Sequence, residues 1–456
     1  MKIKRLSKTM KTVIMAGGRG TRIANLFPDT PKPMIPLDGV PVLERELISL
    51  RDQGFYDITI TVGYLSNQII DYFQDGARLG IHIDYYIEKE PLGNAGALLR
   101  LNLKDDFLLL NGDTVFDIDI RRFVTYHREK GSLATILTHP NEHPYDSGLI
   151  IADKDNAVRS WLAKEDIRPQ WYKNRVNAGL HILSPKIFEH FTSCLKLRNE
   201  TEMPENTGNE SCNRNKTDFK KKIDLDRDIL KPLAGTGKLF CYDSPEYVKD
   251  MGTPERYRQV SEDFRRGIIS SKKLTNKQKA IFLDRDGTIN RYVGFLRDIR
   301  AFELLPGVSE AIRKINSSGY LAIVITNQPV VARGEVSIEA LSLIHDKMET
   351  LLGKDGAYLD GIYVCPHHPD RGFEGEVPEL KIDCDCRKPK PGLLFKAAQD
   401  FNIDLSESWM IGDSKIDVQA GKNAGCHTAL IGTEDFQQDM TVDSLLRFVT
   451  KAFKGE

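Results

Sequence analysis

Short apolar runs rich in β-branched residues recur along this chain of 456 residues, and many are followed by stretches whose apolar residues fall three and four apart. No other feature constrains the fold as much. Unbroken apolar runs of a few residues suit buried strands, whereas three-and-four spacing suits helices lying across them. Strands are expected at 12–15, 58–62, 107–110 and 133–138, with helices at 42–50 and 65–73. A second series begins late, with strands at 280–283, 321–325, 361–364 and 409–411 and helices at 308–315, 338–352 and 393–401. Alternation of this kind builds parallel sheets covered by helices, so the expected class is α/β.

Between the two series lies RRGIISSKKLTNKQK, residues 265–279, which is basic, polar and without usable periodicity. It reads as a linker between a domain of residues 1–264 and one of residues 280–456, each long enough for its own core. The polar stretch 198–222, rich in Asn, Glu, Thr and Lys, reads as a mobile surface insertion in the first domain. Charge excludes some functions. Lys and Arg number 64 against 65 Asp and Glu, a net charge of −1, so there is no global basic field for nucleic acid or anionic lipid. No apolar run approaches the ~20 residues needed to cross a bilayer. The apolar stretch Val13–Ala16 behind the basic N-terminus is too short for a secretory signal, so a cytoplasmic location is expected. Seven cysteines, with three between Cys365 and Cys386, fit a local metal site better than a disulfide framework.

The first strand runs into Ala16-Gly17-Gly18-Arg19-Gly20-Thr21-Arg22. Glycines at a strand's carboxyl end let backbone N–H groups approach phosphate oxygens, and Arg19 and Arg22 add charge that stabilises a triphosphate or departing pyrophosphate. Alone, such a turn is weak: it is neither a Walker loop nor the GxGxxG fingerprint, and a plain tight turn is the better explanation of it. Three further segments follow in order. Pro31-Lys32-Pro33 sets a lysine on a stiff loop, Leu92-Gly93-Asn94-Ala95-Gly96 gives a second close backbone approach that opens a helix, and Asn111-Gly112-Asp113 puts a carboxylate at a strand end. Together they resemble the sugar-1-phosphate nucleotidyltransferase family over residues 11–257. The resemblance implies a Rossmann-like, GT-A-like domain in which Gly17, Gly18, Gly20 and Arg22 hold a nucleoside triphosphate, with Lys32 beside its phosphates and Gly93 also in the site. It implies Mg²⁺ on Asp113 and Asp250, and sugar binding by Asn177-Ala178-Gly179. Asn94 stands where the family has Thr. The family's Glu-Lys-Pro segment is replaced by Trp161-Leu162-Ala163-Lys164-Glu165, which makes Lys164 the candidate for the sugar-phosphate lysine.

The second series opens with Ala280–Leu283 followed by Asp284-Arg285-Asp286-Gly287-Thr288. Carboxylates at i and i+2 converge on one phosphate if the chain turns at Gly287: one attacks phosphorus, the other protonates the leaving oxygen and later activates water. An EF-hand fails on the glycine's position and on Phe295 at the twelfth residue. Thr326-Asn327-Gln328, Arg387-Lys388-Pro389 and Gly412-Asp413-Ser414-Lys415-Ile416-Asp417 follow. They offer hydroxyl and amide groups for phosphoryl oxygens, fixed cations and an acidic Mg²⁺ position. These four motifs resemble the haloacid dehalogenase superfamily phosphatases over residues 279–431. That implies a HAD-like Rossmannoid domain with Asp284 as nucleophile, Asp286 as general acid/base, and Thr326 and Lys388 on the phosphoryl group. Mg²⁺ would lie on Asp284, Asp286 through its carbonyl, and Asp413, with Asp417 in support. With no large insertion between Asn290 and Pro306, an open mouth without a cap domain is expected.

Cys365-Pro366-His367 and Cys384-Asp385-Cys386 are paired ligands sixteen residues apart. Three thiolates and an imidazole make a closed zinc set, with His368 a neighbour and the other four cysteines ordinary. This loop beside Arg387 resembles the heptose bisphosphate and histidinol phosphate phosphatase branch, although Pro329-Val330 and Ser414 depart from its pattern.

A phosphatase that turns a sugar 1,7-bisphosphate into a sugar 1-phosphate makes what a nucleotidyltransferase consumes, which favours heptose over histidinol. The combined resemblances imply a heptose 1,7-bisphosphate 7-phosphatase joined to a GTP-using heptose 1-phosphate guanylyltransferase, with no nucleic-acid or membrane partner. Another sugar or base, such as a hexose 1-phosphate with UTP, and an N-terminal nucleotide-sugar sensor stay open, as does assembly into a homo-oligomer.

Overall fold

The computed structural model describes residues 10–453 except 91, 190 and 192–221. The polar stretch 198–222 therefore lies outside the described residues apart from Lys222, as do Cys194 and Cys212.

In the N-terminal domain, strands Lys11–Ala16, Asp57–Val62, His82–Ile87 and Phe107–Asn111 form the parallel half of the main sheet, with Lys11–Ala16 between the second and the fourth. The strands Lys11–Ala16 and Phe107–Asn111 alternate their buried residues between two layers, while Asp57–Val62 and His82–Ile87 feed one of them. Ile14, Ile58, Ile60 and Leu110 enter one core cluster, while Val13, Phe107 and Leu109 enter another on the opposite face. The sheet is mixed, which the parallel expectation missed. Val176–Leu183 runs antiparallel to Phe107–Asn111 and carries the sheet on to Ala134–His139, Leu149–Ala152 and Val158–Leu162. Its sequence, VNAGLHIL, has a polar and small first half because the register breaks into a bulge between Asn177 and His181. A two-stranded ribbon, Thr114–Asp117 with Tyr247–Asp250, stands apart from this sheet.

The C-terminal domain has one sheet of six parallel strands, with Lys279–Leu283 between Tyr320–Asn327 and Trp409–Gly412. Again the layers alternate: Ile281 and Leu283 face one core, Ala280 and Phe282 the other. Helices Val308–Asn316, Ile338–Lys354 and Gly392–Phe401 fall where the spacing puts them. In both domains the motif residues therefore emerge at the carboxyl ends of central parallel strands, side by side with the ends of their neighbours.

The segment 265–279 is more structured than its composition suggests. Ile268–Ser271 forms a helical turn, and Ile268, Ile269, Lys272, Leu274 and Gln278 are buried. Lys273 bonds Asp117 at 2.7 Å on one side, and Asn402 reaches the Leu274 carbonyl on the other. Each domain grips this connection, so a polar run is here a packed strap. Among the described residues no helix is long and apolar enough to cross a membrane.

Candidate active sites

The N-terminal site is a cleft of about 900 Å³, lined by Gly17, Gly18, Arg19, Lys32, Gly63, Glu88, Gly93, Asn111 and Asp113 among others. Register explains the convergence. Ala16 pairs with Val62 and Met15 with Asn111, so the chain leaves three neighbouring strands at Gly17, Gly63 and Gly112. A Cβ on Gly63 would sit 3.1 Å from the Gly17 carbonyl oxygen, so bare backbone is what lets these turns close together. Gly20 takes φ +65°, and a Cβ there would lie 2.7 Å from the Lys32 side chain. Lys32 Nζ donates to Asp113 at 2.8 Å.

Asp250 reaches the same place from the ribbon, paired with Thr114, while the Met251 N–H donates to the Asp113 carbonyl. Burial pushes the Asp250 carboxyl up. Hydrogen bonds from Arg256 and the Gly252 N–H, with the charges of Arg256 and Lys32, outweigh that and hold it below the usual range. Arg22 Nη2 and Lys32 Nζ both come within 3.4 Å of where a Gly252 Cβ would be. Arg22, Lys32, Asp113 and Asp250, far apart in sequence, thus converge on one spot.

The sugar-side residues are placed unequally. Gly179, at φ +80°, sits in the bulge, with its carbonyl accepting from Asn111 and its N–H donating to Asn177 Oδ1 at 3.1 Å. Asn177 also donates to Asp226 at 3.4 Å, a residue the sequence did not single out. Burial, and then Asp224, push Asp226 up to about 6. Its only sequence signal is the acidic run 224–228, interrupted by Leu225. Lys164 is exposed, pairs with Asp146, and does not line the cleft. Residues 94–97 form a turn leading to a short 3-10 helix at 98–100, not the expected α-helix. Asn94 has a structural task there, accepting from the Leu225 N–H at 2.7 Å and donating to Asp224.

The C-terminal site is denser. Asp284 leaves its strand between the ends of Tyr320–Asn327 and Trp409–Gly412, with its N–H on the Ile411 carbonyl. Lys388, 3% exposed, donates to Asp284 at 2.7 Å, Asp417 at 2.6 Å and the Ile325 carbonyl at 2.9 Å. Asp284, Asp413 and Asp417 bring one oxygen each within 4.8 Å of one another. Burial pushes Asp284 up to about 7, with Asp417 and Asp286 adding to it against Lys388, and burial likewise moves Asp413 to about 6. Three carboxylates around one ammonium leave a deficit of positive charge that a divalent cation fits. Gly287, at φ +81°, is obligatory, since a Cβ there would overlap the Asp413 carboxylate.

The Asp286 carboxylate stands outside that triad. Arg285, Asn290 and Gln328 hold it, and Gln328 also donates to the Thr326 hydroxyl at 2.8 Å. Arg285 is fully buried and donates to His345, whose ring burial keeps neutral with a value lowered to about 3. Asn327 clamps Lys388 through both backbone groups, and Arg387 donates to the His367 carbonyl.

Cys365, His367, Cys384 and Cys386 bring their donor atoms within 4.8 Å of one another. Separations of 3.1 Å between Cys384 and Cys386, 3.5 Å between Cys365 and Cys384, and 3.2 Å between His367 and Cys386 approach the edge of a tetrahedron with bonds of about 2.3 Å. His368 turns instead to Arg333.

Comparison with known proteins matches residues 11–267 to the nucleotidyl transferase family and residues 385–447 to the HAD-hydrolase-like family. A D-glycero-beta-D-manno-heptose-1,7-bisphosphate 7-phosphatase of Yersinia pestis is 40% identical over 158 residues, 35% of this chain and 82% of that protein. The alpha-anomer enzyme of Burkholderia mallei is likewise 40% identical, over 155 residues, 34% of this chain and 80% of that one. The chain belongs to both families. Its nucleotidyl transferase part is also similar in structure to HddC of Yersinia pseudotuberculosis, solved with GMP-PN: 27% identity, TM-score 0.43, covering 56% of this chain and all of that one. Each cleft draws its motif residues from one domain.

Proposed function

We propose that the chain carries out two consecutive steps of GDP-heptose synthesis, removing the 7-phosphate of D-glycero-D-manno-heptose 1,7-bisphosphate and then transferring GMP from GTP to the heptose 1-phosphate. One observation carries the reading. A site of the heptose-bisphosphate phosphatase family and a nucleotidyl transferase cleft lie in one chain, and the product of the first is the substrate of the second. Relatives named for the beta and the alpha anomer are both 40% identical, so the reading takes in either anomer of the sugar phosphate.

In the phosphatase site, Asp284 attacks the 7-phosphorus as the bond to the sugar oxygen breaks, and Asp286 gives that oxygen its proton. Asp286 then takes a proton from the water that hydrolyses the aspartyl-phosphate. Thr326, Asn327, Arg387 and Lys388 form the phosphoryl-binding side; Gln328 ties the acid to the Thr326 hydroxyl. Asp284, Asp413 and the Asp286 carbonyl would hold Mg²⁺, with Asp417 supporting, and the ion offsets phosphate charge when bound. Cys365, His367, Cys384 and Cys386 would hold Zn²⁺ as a structural clip on the loop carrying Arg387 and Lys388.

In the transferase cleft, the backbone at Gly17, Gly18, Gly20 and Gly93 cradles the nucleotide. A heptose 1-phosphate oxygen, positioned by Asn177 and Gly179, attacks the α-phosphorus in line. Pyrophosphate leaves toward Arg22 and Lys32, which take up its growing charge. Asp113 and Asp250 would hold Mg²⁺ on the triphosphate. The same reading places the enzyme in the cytoplasm, where thiols stay reduced.

A panel of sugar 1-phosphates against the four nucleoside triphosphates, read by pyrophosphate release, tests the second step. GTP with heptose 1-phosphate should give the largest kcat/KM. Preference for a hexose or for UTP would transfer the reading to that sugar or base, and no release with any pair would leave the N-terminal domain a sensor.

A further inference from the structure

The helix Ile338–Lys354 belongs to the phosphatase domain, yet it supplies hydrogen bonds to the other domain's backbone. Glu349 accepts from the Asn174 N–H at 2.5 Å. Thr350 Oγ1 accepts from the Tyr172 N–H at 2.8 Å and lies 3.0 Å from the Tyr172 carbonyl. All four residues are buried, Thr350 to 1% exposure. The Asn174 side chain in turn locks onto the Asn141 backbone through its N–H and its carbonyl. Gly353 sets the approach: a Cβ there would lie 2.7 Å from Pro144 Cγ, so only glycine lets the helix come this close.

Downstream of the gripped segment, Arg175 is buried in an ion pair with Asp243, and Val176 begins the strand that carries Asn177 and the Gly179 bulge. Only two residues, Arg175 and Val176, separate Asn174 from Asn177, and Arg175 is itself pinned, leaving little slack to absorb a shift. A buried carboxylate is costly to keep, and one spent on a foreign backbone N–H is best explained by the position it fixes.

We propose that Glu349 and Thr350 of the phosphatase domain are positioning residues for the sugar end of the transferase cleft. The inference rests on the reading of Asn177 and Gly179 as the sugar-binding segment. The phosphatase domain is thereby a structural part of the transferase, beyond being the source of its substrate.

The test uses the full-length enzyme with Glu349→Ala, Thr350→Val, Gly353→Ala and the conservative Glu349→Gln. The first three should raise the transferase KM for heptose 1-phosphate by about 10-fold, as loss of a supporting hydrogen bond does elsewhere. KM for GTP and phosphatase kcat/KM should stay within about twofold. Glu349→Gln keeps an acceptor oxygen and should restore most of the sugar affinity. Gly353→Ala is informative because alanine favours a helix, so a raised KM there reflects the lost approach to Pro144. An unchanged sugar KM in Glu349→Ala and Thr350→Val, or an equal loss for sugar, GTP and phosphatase, overturns the proposal. Amide hydrogen exchange gives a readout without turnover: residues 172–179 should exchange faster in Glu349→Ala than in wild type, and unchanged exchange overturns the proposal. Absence of any pyrophosphate release by the wild type would sink the transferase reading instead, leaving the exchange result to decide the positioning claim.

Discussion

The two sites handle phosphate in opposite ways. In the phosphatase site, side chains are already bonded to one another: Lys388 bridges Asp284 and Asp417, while Arg285, Asn290 and Gln328 fix Asp286. In the transferase, a cleft of about 900 Å³ is edged by glycine backbone, with its charges meeting at one spot near Gly252. The chemistry accounts for the contrast. A carboxylate nucleophile must be held within a fraction of an ångström and kept reactive in a buried, charge-balanced place. Direct attack of one substrate on another needs room for both, with charge placed where pyrophosphate departs. The phosphatase should thus be brittle to single side-chain changes, and the transferase graded in its response.

The largest effect should come from the nucleophile. Asp284→Asn should lower phosphate release by about 10⁴-fold or more while leaving pyrophosphate release from supplied heptose 1-phosphate unchanged. Loss of both activities would break the two-site comparison. Next, Arg22→Ala should cost the transferase about 10²- to 10³-fold in kcat, read by pyrophosphate release, with the phosphatase unaffected. Third, Cys384→Ser should reduce bound zinc measured by elemental analysis and cost the phosphatase about 10- to 100-fold through the loop carrying Arg387 and Lys388. Full activity without zinc would make that loop self-supporting.

The smallest effect concerns pH. Burial pushes Glu349 up to about 7, with Asp346 adding to it and Lys173 and Arg175 opposing. A carboxyl whose folded value lies above its unfolded value of 4.5 favours folding most when protonated. Its contribution is fully present below about 4.5 and is lost as pH rises through about 7. Thermal unfolding from pH 5 to 8 should therefore show Glu349→Gln gaining on the wild type by about 1–2 kcal/mol at the upper end. A constant difference across that range would mean that Glu349 is ionised throughout in the folded protein.

What the sequence made legible follows the same contrast. The placing of Asp113, Asp284, Thr326 and Asp413 at strand ends could be read because those strands are short apolar runs with clear edges. The clustering of Cys365, His367, Cys384 and Cys386 could be read because they come in two close pairs. Residues placed by long-range packing were harder. Val176–Leu183 hid behind a polar bulge, and Lys164, chosen because its segment stands in the place of the family's Glu-Lys-Pro, faces Asp146 on the surface. Asp226 sits beside Asn177, 49 residues away in sequence. The strap at 265–279 looked like a loose linker because its few apolar residues lack a period, yet Ile268, Ile269 and Leu274 are buried between partners no local pattern could name. Glu349 reads as an ordinary helix-surface acid until the other domain covers it.

The most direct test of the central claim is a single incubation of the purified chain with heptose 1,7-bisphosphate, Mg²⁺ and all four nucleoside triphosphates, with the products weighed by mass spectrometry over time. The account predicts heptose 1-phosphate appearing first and GDP-heptose accumulating from it. Heptose 1-phosphate that persists with no nucleotide sugar formed, or a bisphosphate left untouched, would contradict it.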